Sequence, residues 1–193
     1  MNYAAIRNND IANGEGVRVS LFVSGCNFHC PGCFNPEAQD FDYGNPFTHD
    51  VKEQLLEMVS EETISGLSIL GGDPLCQDAY NLMLLSRLCR CVHRLGKSVW
   101  LWTGYKLEDV MCQHTGIKSV DDILGEKISK PGHNAIHRDC HKADLLSNCD
   151  VVVDGPFIQE LADRALKWRG SANQRIIDMR MTIKKGKIVL YDE

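Results

Sequence analysis

From position 17 the chain alternates: Val17, Val19, Leu21 and Val23 are set against Arg18, Ser20, Phe22 and Ser24, which predicts a strand ending at Gly25. Thr48 then stands as an N-cap. Behind it Val51, Leu55, Met58 and Val59 fall at i, i+4, i+7 and i+8, one apolar face of a helix over 49–61. Leu67-Ser68-Ile69-Leu70 predicts a second strand, closed by Gly71-Gly72-Asp73-Pro74. A longer helix follows, with Leu82, Leu85, Leu88, Val92 and Leu95 on one face and Gly96 as its natural C′ residue. Ser98-Val99-Trp100-Leu101-Trp102 and Cys149-Asp150-Val151-Val152-Val153 are continuous apolar runs of the kind a parallel sheet buries on both faces. The last periodic stretch, Met181 to Leu190, predicts a β-hairpin turning at Lys185-Gly186 and packed at a sheet edge.

Strands alternating with helices imply right-handed crossovers and the α/β class. Four such units suit an incomplete (β/α) barrel, a parallel sheet flanked by helices with a C-terminal hairpin, since a closed barrel of eight usually needs about 250 residues. At 193 residues, one domain spanning 1–193 is expected. Four unusual segments each follow a predicted strand: a cysteine loop after Gly25, Gly71-Gly72-Asp73-Pro74, Thr103-Gly104-Tyr105 and Asp154-Gly155-Pro156. Parallel α/β folds bind their ligands at that end of the sheet, so all four loops are expected to face one mouth.

Charge and composition narrow the chemistry. Lys and Arg number 21 against 26 Asp and Glu, a net charge of −5, so phosphate-backbone binding by massed basic residues is not expected and no nucleic-acid partner is assigned. No run approaches the ~18 apolar residues of a membrane span, and Met1 to Asp10 has neither a signal-peptide nor a transit-peptide pattern. A cytoplasmic protein with no membrane partner is expected. Nine cysteines in a reducing compartment point to metal or redox chemistry rather than to disulfides.

Cys26-Asn27-Phe28-His29-Cys30-Pro31-Gly32-Cys33 concentrates that chemistry, with three thiolates spaced C-x3-C-x2-C and Pro31 and Gly32 to bend the loop. Thiolates ligate iron–sulfur clusters, and a 4Fe-4S cluster held by only three of them keeps one iron open, as catalytic metals keep a position for substrate. A zinc site completed by His29 or a distant cysteine, or three unligated thiols, are the alternatives.

At this motif the chain resembles the radical S-adenosylmethionine superfamily, which carries the same cysteine spacing after its first strand. The resemblance implies that Cys26, Cys30 and Cys33 hold one 4Fe-4S cluster whose open iron binds S-adenosylmethionine, and that an electron from the cluster cleaves this cosubstrate to a 5′-deoxyadenosyl radical. Many members place an aromatic residue just before the third cysteine; here Gly32 occupies that position and Phe34 follows Cys33, which shifts the expected adenine contacts to Gly32, Cys33 and Phe34. Gly71, Gly72 and Asp73 resemble the segment that holds the methionine amino group.

Leu21 to Cys26, Trp100 to Tyr105, Val153 to Phe157 and Trp168 to Arg175 narrow the resemblance to the activases of glycyl-radical enzymes. The implied partners are the large subunit of an anaerobic ribonucleoside-triphosphate reductase, from one glycine of which a hydrogen atom is taken, and an electron-donor protein. Hydrogen-atom abstraction needs no general base, only a well-placed radical carbon, and the chain has no paired-carboxylate or Ser-His-Asp pattern to supply one. Activation of a pyruvate formate-lyase type enzyme, or service as a non-enzymatic iron–sulfur electron carrier, are the rival readings.

Around this centre stand further candidates. Thr103 and Asp154, at strand ends, are placed to reach a ribose or to cap helices. Arg169 to Arg175 is either a partner or nucleoside contact or a surface loop. The stretch 111–148 is longer than the family's usual crossover and is expected to be an insertion running over the surface. Within it His133, His137 and Cys140, beside His114 and His141, have the spacing of a second metal site if helical. Cys89 is expected to fill core space and Cys76 to line the mouth.

Overall fold

A computed structural model describes residues 1–111 and 133–192, with side chains over 1–111 and 140–192. In chain order the elements are β1 (Asn2–Asp10), β2 (Arg18–Val23), β3 (Asn45–Pro46), α1 (His49–Ser60), β4 (Gly66–Gly71), α2 (Ala79–Arg94) and β5 (Ser98–Trp102). There follow α3 (Leu107–Met111), α4 (His133–Ser147), β6 (Val151–Asp154), β7 (Arg175–Asp178) and α5 (Met179–Lys185). The strands form one seven-stranded sheet in the order β3-β1-β2-β4-β5-β6-β7. It has two ends and does not close. Its centre, β2-β4-β5-β6, is parallel, with Leu21 opposite Ile69 and Ile69 opposite Leu101, while β1, β3 and β7 run antiparallel to their neighbours. The α/β class and the four parallel strands are those expected; the sheet they belong to is open.

Capping residues explain where the helices begin. Thr48 Oγ1 accepts from Val51 N at 3.3 Å ahead of α1, and Asp78 Oδ1 accepts from Asn81 N at 2.8 Å ahead of α2. Strand residues alternate between the two faces of the sheet. Val19, Leu21 and Val23, Leu67 and Ile69, Val99 and Leu101, and Val152 meet Leu55, Val59, Leu82, Leu85, Leu145 and Leu146 in the main core. On the opposite face Trp100, Val151, Val153 and Ile176 form a smaller cluster with Trp102, Trp168 and Tyr191.

Three features depart from expectation. β1 is a nine-residue strand where the sequence showed no strand, paired to β2 through a bulged register that interrupts its alternation. The expected C-terminal hairpin is absent: Met179–Lys185 is α5, and the last sheet strand is β7, just before it. The reason is capping, since Asp178 Oδ1 accepts from Met181 N at 2.8 Å, two lysines lie in the last turn, and Gly186 adopts φ +62° as the left-handed stop. Finally, 140–147 does not run over the surface: Ala143, Leu145 and Leu146 of α4 are buried, and Ser86 Oγ of α2 donates to Asp144 Oδ2 at 2.5 Å. Residues 112–132, and the side chains of His133 and His137, lie outside the described residues.

Candidate functional site

The C-terminal ends of the parallel strands converge. After β2 the chain crosses Gly25, and two backbone bonds clamp the cysteine loop to the 3₁₀ turn at Glu37–Gln39: Gly25 N to Ala38 O at 2.8 Å and Cys26 N to Gln39 O at 3.0 Å. Phe28 N donates to Cys26 Sγ at 3.4 Å, and Cys33 N closes on Cys30 O at 3.2 Å. The Phe28 ring meets Tyr105 edge-on with centroids 4.9 Å apart, joining the loop to the segment after β5. Cys30, half-buried, takes a hydrogen bond from the Phe157 backbone, which joins the loop to the segment after β6.

Gly71-Gly72-Asp73 turns against this loop at close range. Gly71 takes φ +110°, and a side chain on Gly72 would stand 2.6 Å from the carbonyl oxygens of both Gly25 and Ala38. Gly72 N reaches Val23 O at 2.6 Å and Asp73 N reaches Gly25 O at 2.8 Å, so this turn is built into the end of β2. Asp73, only 2 % exposed, is the hub. Its carboxylate accepts from Leu75 N at 2.8 Å, Thr103 Oγ1 at 3.0 and 3.1 Å, and Gly104 N at 2.7 Å. Burial pushes its pKa up to about 6 in spite of those hydrogen bonds and of the nearby Lys142 charge.

Cys76 stands one 3₁₀ turn beyond Asp73 and faces the same point as the cysteine loop. Ligand atoms of Cys26, Asp73 and Cys76 all lie within 4.8 Å of one another. The hydrogen bond between the two thiols, and then burial, push Cys26 up, while Cys76 is lowered chiefly by that same bond. Burial, and then the neighbouring Cys26 and Cys33, push Cys30 up. A cation at that point would favour the ionised form of these thiols. The donor set of Cys26, Asp73 and Cys76 therefore fits a thiophilic metal.

The other candidates are already engaged. Gly32, at φ +69°, is packed against Gln159, and Phe34, 71 % exposed, meets Phe157 with centroids 5.0 Å apart. Thr103 is committed to Asp73, and buried Asp154 accepts from Leu107 N at 2.8 Å and from Arg175 Nε at 2.9 Å. Arg175 also grips Glu108 through both terminal nitrogens at 2.7 Å, which holds the Glu108 carboxyl down to about 2. Gln174 donates to Gly155 O at 3.0 Å while accepting from Gly170 N at 2.9 Å, and Asn173 Nδ2 donates to Pro156 O at 2.7 Å. Residues 170–175 thus brace the loop after β6. The sequence reading gave Cys76 a minor part; its signal was the Asp73-x-x-Cys76 spacing, which one 3₁₀ turn converts into adjacency.

The profile of a family described as "4Fe-4S single cluster domain" matches residues 12–177. The chain is 34% identical over 183 residues to the anaerobic ribonucleoside-triphosphate reductase-activating protein of Escherichia coli K12, covering 93% of this chain and 100% of that one. It is 36% identical over 180 residues to the protein of the same name in Haemophilus influenzae, with coverage of 91% and 97%. Against its namesake in Enterobacteria phage T4 it is 34% identical over 178 residues, with coverage of 91% and 93%. A cysteine loop at the mouth of a parallel sheet and likeness along nearly the whole chain lead to one assignment: the chain belongs to the family of 4Fe-4S single-cluster proteins that includes the anaerobic ribonucleoside-triphosphate reductase-activating proteins.

Proposed function

We propose that the protein activates an anaerobic ribonucleoside-triphosphate reductase by radical S-adenosylmethionine chemistry, taking a hydrogen atom from one glycine of the reductase to leave a glycyl radical. The observation that carries this reading is the three-cysteine loop at the strand ends, sited against Asp73, in a chain of this family. Cys26, Cys30 and Cys33 would hold the 4Fe-4S cluster, and the chemistry such a cluster would supply when bound is one-electron reductive cleavage of S-adenosylmethionine.

The chain's own residues bind and orient. Asp73 is the carboxylate assigned to the methionine ammonium, and its bonds to Thr103 and Gly104 fix its position before the cosubstrate arrives. Gly32, Cys33 and Phe34 form the adenine side of the mouth. Phe28 packed on Tyr105 and Phe34 packed on Phe157 tie the cysteine loop to the segments after β5 and β6. The four parallel strands act as part of a barrel wall, and the open side of the sheet admits the glycine-bearing segment of the partner. An electron-donor protein completes the cycle in the cytoplasm.

The test is anaerobic reconstitution with iron and sulfide, reduction, and addition of S-adenosylmethionine and purified reductase. The expected result is 5′-deoxyadenosine together with a glycyl-radical electron paramagnetic resonance doublet on the reductase. Reduced, iron-loaded protein that releases no methionine makes it an electron carrier, and a doublet only on a formate-lyase substrate reassigns the partner.

A further inference from the structure

We propose that, in the cluster-free protein, Cys26, Asp73 and Cys76 form a binding site for one thiophilic divalent cation of the zinc, cobalt or ferrous class. Their ligand atoms lie within 4.8 Å of one another, and among the described residues this group includes neither Cys30 nor Cys33. Ligands bound at about 2.0–2.3 Å around one tetrahedral ion stand roughly 3.5–3.8 Å apart, so only a small contraction is needed. Local structure makes the grouping. Pro74–Cys76 is a single 3₁₀ turn with Cys76 N bonded to Asp73 O at 3.0 Å, and residues three apart eclipse on such a turn.

The surroundings are those of a metal site rather than of a chance contact. Metal-binding carboxylates are oriented by outer hydrogen bonds. Asp73 has them from Leu75 N, Thr103 Oγ1 and Gly104 N, at 2.7 to 3.1 Å. Cys26 has its own from Phe28 N at 3.4 Å. Entry is provided by a cavity of about 370 Å³ that Cys76 lines with Asn27, Gln77, Tyr105 and Lys142. Two sulfurs and one carboxylate oxygen leave a fourth tetrahedral position for water. Binding releases one proton from each of the two thiols to solvent and changes no oxidation state.

Cys26 belongs both to this group and to the cysteine loop, so an ion held here withholds one thiolate from a cluster. That competition rests on the function proposed above; the cation site itself does not. It makes Cys76 a gate on cluster loading: zinc slows assembly in the native chain and has little effect once Cys76 is replaced.

Cobalt(II) titration of the full-length, reduced, cluster-free chain, followed by visible absorption, is the direct test. The native chain is expected to take up one ion with tetrahedral thiolate bands, and the Cys30→Ser/Cys33→Ser double variant to bind as tightly. Cys76→Ser should weaken binding by more than roughly 100-fold, beyond the 10- to 100-fold typical of losing an outer partner. X-ray absorption of the cobalt-bound native chain, which needs no variant to fold, should find two sulfur ligands. Undiminished binding by Cys76→Ser, loss of the ion in the double variant, or three sulfurs at the metal each overturns the proposal. If cobalt binds as expected and reconstitution with iron and sulfide still yields no cluster, the site stands and the functional reading fails.

Discussion

The two ends of the parallel sheet each bury a charged side chain, and they use it differently. At the N-terminal ends Arg18, 1 % exposed, spends all five of its N–H donors on neutral acceptors: Ser68 Oγ, Glu15 O, Ser98 Oγ, Leu67 O and Ser98 O, at 2.8 to 3.2 Å. Trp100 lies against the guanidinium at 5.6 Å. Nothing is left over, and the result ties β2, β4 and β5 together. At the C-terminal ends Asp73 joins β4 to the segment after β5 in the same manner, but beside it stand the Cys26 and Cys76 thiols, whose ligand atoms lie within 4.8 Å of its own. A buried polar group matched only by neutral acceptors holds the fold, whereas one set beside metal-ligating side chains is where chemistry is expected.

The largest effect expected is at the mouth. Cys30→Ala should reduce iron retained after reconstitution to background while the urea unfolding midpoint of the metal-free chain hardly moves, a change within about 0.5 kcal/mol. Iron analysis and denaturation on one preparation check both halves. Arg18→Met should show the reverse. It strands several buried acceptors at about 1–3 kcal/mol each and should cost about 3–5 kcal/mol in urea unfolding, with iron loading per folded chain unchanged.

Asp73→Asn belongs to both ends of the comparison. An amide in that place sets its own N–H₂ against the Gly104 N–H or the Thr103 hydroxyl, so a loss of about 1–3 kcal/mol is expected, along with weaker S-adenosylmethionine binding to the cluster-loaded protein. Unchanged affinity by calorimetry removes Asp73 from the cosubstrate site.

The smallest effect lies at the surface pair beyond the mouth. Glu108 is held down to about 2 by Arg175, from an ordinary 4.5, so its contribution to stability is complete above 4.5 and is lost as pH falls towards 2. Solvent screening keeps it below about 1 kcal/mol. The stability gap between native protein and Glu108→Gln, measured by urea unfolding across that range, should therefore close with acidification; a gap that widens contradicts the pairing.

Much of this was legible in the chain. The four parallel strands and the first two helices follow from apolar spacing and from the caps Thr48 and Gly96, because those signals are local. The mouth was legible because its unusual residues sit just after strands. β1 was hidden because a bulge breaks its period, and α5 because Thr182, Ile183, Ile188 and Val189 resemble strand while Asp178 and Gly186 decide for helix. Arg18 occupied an alternating polar position that reads as solvent-facing, yet the turn at Gly14 and Glu15 and the Trp100 ring lie against it, a burial that the linear pattern does not show. Cys76 was expected only to line the mouth, because its proximity to Cys26 exists in three dimensions and not along the chain.

Mössbauer spectroscopy of protein reconstituted anaerobically with ⁵⁷Fe tests the proposed iron coordination most directly. One iron in each cluster should be distinct from the other three and should alone shift when S-adenosylmethionine is added. Four irons unaffected by the cosubstrate, or zinc in place of iron at Cys26, Cys30 and Cys33, would contradict it.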